Sequence, residues 1–249
     1  MIEIAIVNES TVLEDVEVHK IAKAIQIQVE RDFLPIWGVN ARITAVSKHH
    51  IPTDHWVLAF LDNADQADAL GYHDVTPKGL PLGKAFVKPT IAEGSKISST
   101  ASHELLEMLG DPDINLVAEL DNAKGDPKKF YAYELCDACE DDAFGYEIDG
   151  VLMSDFVFPA YFEGFRKPHS TQFDFGKHVS QPFQILKGGY NTVLDLGRPG
   201  NGWQQLTTDK KGSIHRPHSG SRRERRRTSR EHWNASEFKV VERAAAEKA

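Results

Sequence analysis

The segment Ser102-His103-Glu104-Leu105-Leu106-Glu107-Met108-Leu109-Gly110-Asp111-Pro112-Asp113 decides how the rest of the chain is read. Its apolar residues recur at helical spacing, so Leu105, Leu106, Met108 and Leu109 cover a core-seeking side while His103 and Glu107, four apart, stack one turn apart. Glu104 sits beside that pair. Gly110 falls where a chain turns out of a helix through a positive backbone angle, and Asp113 follows Glu107 by six positions. An imidazole and two carboxylates brought together by a helix and its exit turn form a donor set for a divalent ion, with His103, Glu107 and Asp113 as ligands. The competing reading is an ordinary amphipathic helix, because a chance H-E-x-x-E is much commoner than a longer motif.

The segment resembles the metzincin pattern of zinc peptidases, H-E-x-x-H-x-x-G-x-x-H, and more closely its variant ending in Asp. Here it reads H-E-x-x-E-x-x-G-x-x-D, with Glu107 in place of the second histidine. The resemblance implies that Glu104 is the general base acting on a metal-bound water and that a peptide or protein is the substrate. Zinc is the metal it implies, with Mn or Fe admitted by the harder oxygen donors.

The elements before the motif are in keeping with that family. Residues 2–7 read as a strand, residues 16–33 as a long helix with Val18, Ile21, Ala22, Ile25 and Val29 on one stripe, and residues 41–46 and 56–61 as two more strands. A loop containing Leu70-Gly-Tyr-His-Asp74 follows, where His73 reads as a surface residue or, because the loop precedes the presumed edge strand, as one bordering the cleft; the surface is the reading preferred. Residues 83–87 then read as a short strand, and Ser98 or Ser99 as the cap of the motif helix. This succession resembles the upper subdomain of zincin peptidases, in which the last strand before the active-site helix is an antiparallel edge. The resemblance implies that Gly83, Lys84, Ala85 and Phe86 hold an extended peptide by strand addition. The fold expected is α+β and zincin-like: a mixed twisted sheet, an active-site helix and an irregular C-terminal subdomain.

Downstream, Tyr133-Glu134-Leu135-Cys136-Asp137-Ala138-Cys139-Glu140 packs carboxylates around a C-x-x-C. A four-sulfur zinc site needs a second cysteine pair, which the sequence lacks, so Cys136 and Cys139 read as buried structural thiols. Asp137 and Glu134 are the alternatives to Asp113 as third ligand. Residues 146–162 read as a hairpin turning at Asp149-Gly150, followed by an apolar stretch; the resemblance to metzincins implies Met153 as the candidate for a methionine-containing turn under the metal, against a plain core residue, and Tyr161 or Tyr146 as the candidate oxyanion donor. Residues 187–202 read as irregular structure closing the domain.

The 249 residues, 41% hydrophobic, suffice for one large domain or two modest ones. No apolar run approaches the roughly twenty residues of a membrane span, and the N-terminus lacks the features of a secretory signal; a cytoplasmic or virion-associated protein without membrane contact is expected. The net charge is −8, yet residues 210–230 hold nine Lys or Arg and one acid, leaving the remainder near −16. The organisation expected is a zincin-like domain over residues 1–207, a basic disordered linker over 208–232 and a short helix over 233–249. The arginines of residues 222–230 form either an arm for nucleic acid or an acidic partner, or a solvated connector. Two functions follow: a metal-dependent peptidase, or a zincin-fold structural or binding module such as a phage-particle accessory protein.

Overall fold

Alternation along the first strand fixes the layers of the molecule. In the computed structural model, which describes residues 1–65, 69–76, 78–120, 128–197 and 202–208, Ile4 and Ile6 of β1 (Ile2–Asn8) enter one core while Ala5 and Val7 enter another across the sheet. The segments expected at 208–232 and 233–249, with the arginines of 222–230, lie outside the described residues from position 209 onward.

The chain continues through α1 (Asp15–Ile27), a π-helical stretch Gln28–Phe33, α2 (Leu34–Trp37), β2 (Ala41–Val46), β3 (Trp56–Leu61), β4 (Gly71–Val75) and β5 (Pro81–Phe86). A short α3 (Val87–Ala92) leads into α4 (Ile97–Gly110), which carries the motif. The first sheet has the order β2-β1-β3-β5-β4; β1, β2, β3 and β5 are parallel and β4 is antiparallel to β5. Ile4, Ile6, Leu58, Phe60 and Ala85 face α1 and α4 in the larger core, which Leu105, Leu106, Met108 and Leu109 complete. Val57, Ala59, Leu61, Tyr72, Leu82 and Phe86 fill the smaller core on the other face.

After α4 come β6 (Val117–Leu120), β7 (Lys129–Ala132), the hairpin β8 (Tyr146–Ile148) and β9 (Val151–Met153), then β10 (Tyr190–Asp195) and β11 (Trp203–Thr207). These give a four-stranded antiparallel sheet, β11-β10-β7-β6, beside the two-stranded hairpin. Asp149 and Gly150 both adopt positive φ (51° and 75°), as a two-residue hairpin turn requires. The architecture is α+β with a mixed first sheet and few helices. Among the described residues, no helix is long and apolar enough to cross a membrane.

Several local expectations are overturned. β5 is not an edge: Gly83, Lys84, Ala85 and Phe86 lie in the sheet interior between β3 and β4, all buried, so they have no free backbone edge to offer a peptide. The antiparallel edge strand is β4, formed by residues read as a loop. The N-cap of α4 is Lys96, whose N–H donates to Asp142 Oδ2 (2.7 Å); Ser98 and Ser99 already belong to the first turn. Within residues 187–202, Tyr190–Asp195 form a regular strand flanked by β7 and β11.

Candidate metal centre

α4 is buried nearly all round, because its polar side as well as its apolar side is covered. His103, Glu104 and Glu107 are 9%, 5% and 1% exposed, so three ionisable groups sit where only pairing or a bound ion makes charge tolerable. The helix packs against β4 and β5, and Gly71 of β4 makes room for Glu104: a Cβ on Gly71 would lie 2.8 Å from Glu104 Oε1. Glu107 is anchored by the Cys136 N–H, which donates to its Oε1 (3.2 Å). Its Oε2 is 3.2 Å from His103 Nε2.

The third donor comes from far along the chain. Asp137, at the start of a 3₁₀ turn (Asp137–Cys139), places Oδ1 3.2 Å from the same His103 Nε2. His103, Glu107 and Asp137 thus form one compact, buried group able to hold an ion. Bonds of about 2.0–2.1 Å to zinc separate the donors of a tetrahedron by roughly 3.4 Å, close to both spacings at His103. The residues therefore fit a divalent ion.

Asp113 is not part of this group. Gly110 keeps helical geometry and has no positive φ; the chain leaves α4 through Asp111, whose carboxylate accepts the N–H groups of Asn115 and Leu116 (3.0 Å each), with Ile114 at φ 53°. That turn leaves Asp113 exposed. The role of Gly110 is close packing, since a Cβ there would meet Leu135 Cδ2 at 2.5 Å. Glu134 is buried but belongs to no donor group among the described residues. Met153 ends β9 in the core shared with α4 and is not in a turn. The two tyrosines proposed as oxyanion donors are engaged elsewhere: Tyr161 donates to Asn191 Oδ1 (2.9 Å) and Tyr146 to Asp32 Oδ2 (3.0 Å). Cys136 and Cys139 are buried free thiols, and burial first, then neighbouring carboxylates, push both well above the usual thiol pKa.

Two residues have no part in the centre on the sequence reading: Tyr190, which it does not single out, and His73, which it places at the surface in preference to the cleft. Tyr190, at the start of β10, hydrogen-bonds the Asp137 carboxyl, and burial followed by the charge of Asp137 raises its own pKa. His73, on β4, is fully buried. Its Nε2 lies 3.2 Å from the Asp111 carbonyl, and because a carbonyl only accepts, Nε2 carries a proton. Its Nδ1 faces Glu107 Oε2 at 3.9 Å and Glu104 Oε2 at 4.0 Å, giving a second donor group that shares Glu107 with the first. Only the fold brings these residues to α4; the one local signal was a histidine in a short segment preceding β5.

The electrostatics express crowding of negative charge. Burial opposes a charge on His103, but Glu107 and Asp137, with Glu104 adding to them, hold its imidazole well above the ordinary pKa. Burial and then the Glu107 charge raise Asp137 to about 7, against the opposing pull of His103 and Tyr190. A divalent cation would relieve both effects, displacing the His103 proton and ionising Asp137.

A separate group, Asp155, Asp174 and His178, also has metal-capable geometry. Here backbone donors already serve the carboxylates: Phe156 and Gly176 N–H on Asp155 Oδ1 (2.7 and 2.9 Å), His178 and Val179 N–H on Asp174 (2.8 and 3.0 Å). Burial, then a hydrogen bond to Asp174, raises Asp155 to about 8. Compared with protein-family models, curated proteins and solved structures, the chain finds no match.

Proposed function

We propose that this chain is a metal-dependent hydrolase of the zincin type, acting on a peptide or protein, with zinc held by His103, Glu107 and Asp137. The observation that carries the reading is the convergence of Glu107 and Asp137 on His103 Nε2 at 3.2 Å each, with Glu104 on the next helical position. One neutral imidazole and two carboxylates neutralise a divalent ion, which makes it a weaker Lewis acid than a three-histidine site would and lets Mn or Fe compete. When bound, the ion would polarise a water and the substrate carbonyl. Glu104, on the helical position next to His103, would serve as the base that takes a proton from the attacking water and passes it to the leaving amine. Tyr190, hydrogen-bonded to Asp137, fixes the orientation of that ligand. The antiparallel edge β4, beside α4, is where an extended peptide would align, in place of β5.

A second reading is a structural module in which the ion only braces α4 against the Asp137 turn; the burial of all the donors favours it. One experiment separates the two. Glu104→Gln keeps size and most hydrogen bonding, so under the hydrolase reading the metal stays bound while cleavage of a diverse peptide library falls by about two to four orders of magnitude. Equal behaviour of wild type and variant, with metal present in both, leaves the structural module.

A further inference from the structure

The two donor groups on α4 are contiguous. Glu107 Oε2 is 3.2 Å from His103 Nε2 on one side and 3.9 Å from His73 Nδ1 on the other, so one carboxylate oxygen stands between two imidazoles. Glu104 closes the second group, its Oε2 4.0 Å from His73 Nδ1. The arrangement at His73 is that of a ligating histidine: metal-bound imidazoles characteristically donate their other ring N–H to a carbonyl or carboxylate, which fixes tautomer and ring orientation. His73 Nε2 makes such a bond with the Asp111 carbonyl at 3.2 Å, which turns Nδ1 toward Glu104 and Glu107. Asp111 is in turn fixed, its own carboxylate holding the turn after α4 through two backbone N–H groups.

We infer that His73, Glu104 and Glu107 form a second divalent-cation site, bridged by Glu107 to the ion on His103, Glu107 and Asp137. Two ions in these groups, about 3.5–4 Å apart in sites of this kind, face three carboxylates, Glu104, Glu107 and Asp137; Glu107 and Asp137 neutralise the first, whereas the second gains only Glu104, so it binds against a net positive charge. The second site is the weaker also because its spacings of 3.9–4.0 Å exceed the roughly 3.4 Å of a tetrahedral zinc shell and must contract on binding. Resting on the proposed role of Glu104 as base, a further consequence follows: filling the second site makes Glu104 a ligand, unable to accept a proton, so excess metal slows hydrolysis.

The test is a binding titration of the metal-free full chain with Mn²⁺, followed by equilibrium dialysis and by electron paramagnetic resonance. Wild type is expected to bind one ion tightly and a second at least tenfold more weakly, with a spin-coupled spectrum appearing only above one equivalent. His73→Ala should bind one ion with an uncoupled spectrum, and His103→Ala should lose the tight event and keep the weak one. His73→Asn, which retains a donor for the Asp111 carbonyl, guards against misfolding and should also bind one ion. A wild type that saturates at one ion, or His73 variants that still bind two, overturns the inference and leaves His73 as a structural residue packed beside the two glutamates. Two ions without hydrolysis would refute the hydrolase reading alone; Glu104-dependent hydrolysis with one ion would refute this inference alone.

Discussion

Replacing Gly110 with alanine tests how the Asp137 turn is held against α4. Gly110 is helical and without positive φ, so alanine meets no backbone strain, and in an open helix it would gain up to about 1 kcal/mol. The added Cβ, however, would lie 2.5 and 2.6 Å from the two methyl carbons of Leu135 and 3.1 Å from its Cγ. Leu135 is fully buried and has nowhere to retreat without moving its neighbours. With two contacts well under 3.0 Å the overpacking falls in the upper half of its usual range, about 2–3 kcal/mol, which less about 1 kcal/mol for helix propensity leaves a net loss of about 1–2 kcal/mol, a fall in Tm of roughly 2–8 °C for a domain of this size. Leu135 precedes Asp137 by two residues, so the same displacement moves a ligand and should weaken metal binding by about tenfold. Thermal melts of the metal-free protein give the first quantity and metal competition the second. In a double-mutant cycle, Leu135→Ala should absorb the clash, making the pair less destabilising than the sum of the single changes by about 1 kcal/mol. A Tm that rises in Gly110→Ala, or strictly additive effects, would refute the packing argument.

Asp137→Ala should reduce metal affinity by more than about tenfold while Asp113→Ala leaves it unchanged; the reverse order, read by competition with a chromogenic chelator, would return the third-ligand role to Asp113. Asp155 gives a pH dependence. Its folded pKa of about 8 lies above the unfolded value near 3.9, so the folded protein holds a proton that the unfolded chain releases. The stabilisation is complete below about pH 4 and is lost as pH rises toward 8. Asp155→Asn has no proton to lose, so urea midpoints measured with chelator should decline less between pH 5 and 9 than in wild type; an unchanged slope would contradict the raised Asp155 pKa.

The parts of the fold legible in the sequence are those written in local periodicity. β1, α1, β2, β3 and the Asp149–Gly150 turn follow from alternation, a 3.6-residue stripe and turn chemistry. His103, Glu104 and Glu107 were readable for the same reason, since helical spacing alone puts them together. β4 was not: Gly71-Tyr-His-Asp-Val75 has weak strand propensity, and it is a strand because it pairs with β5 and is covered by α4. β10 was hidden behind Gly188 and Gly189. Asp113 and Asp137 differ in the same way, the first favoured by spacing along the chain, the second placed by a turn docked on Glu107 through the Cys136 N–H. No local rule selects Tyr190 or His73, because the contacts that matter to them are tertiary.

X-ray absorption at the zinc edge, on protein loaded with one equivalent, addresses the metal centre most directly. A shell of nitrogen and oxygen at about 2.0–2.1 Å with one imidazole and no sulfur is expected, together with loss of the tightly bound ion in His103→Ala. A sulfur shell near 2.3 Å from Cys136 or Cys139, or zinc held as tightly in His103→Ala as in wild type, would contradict this centre.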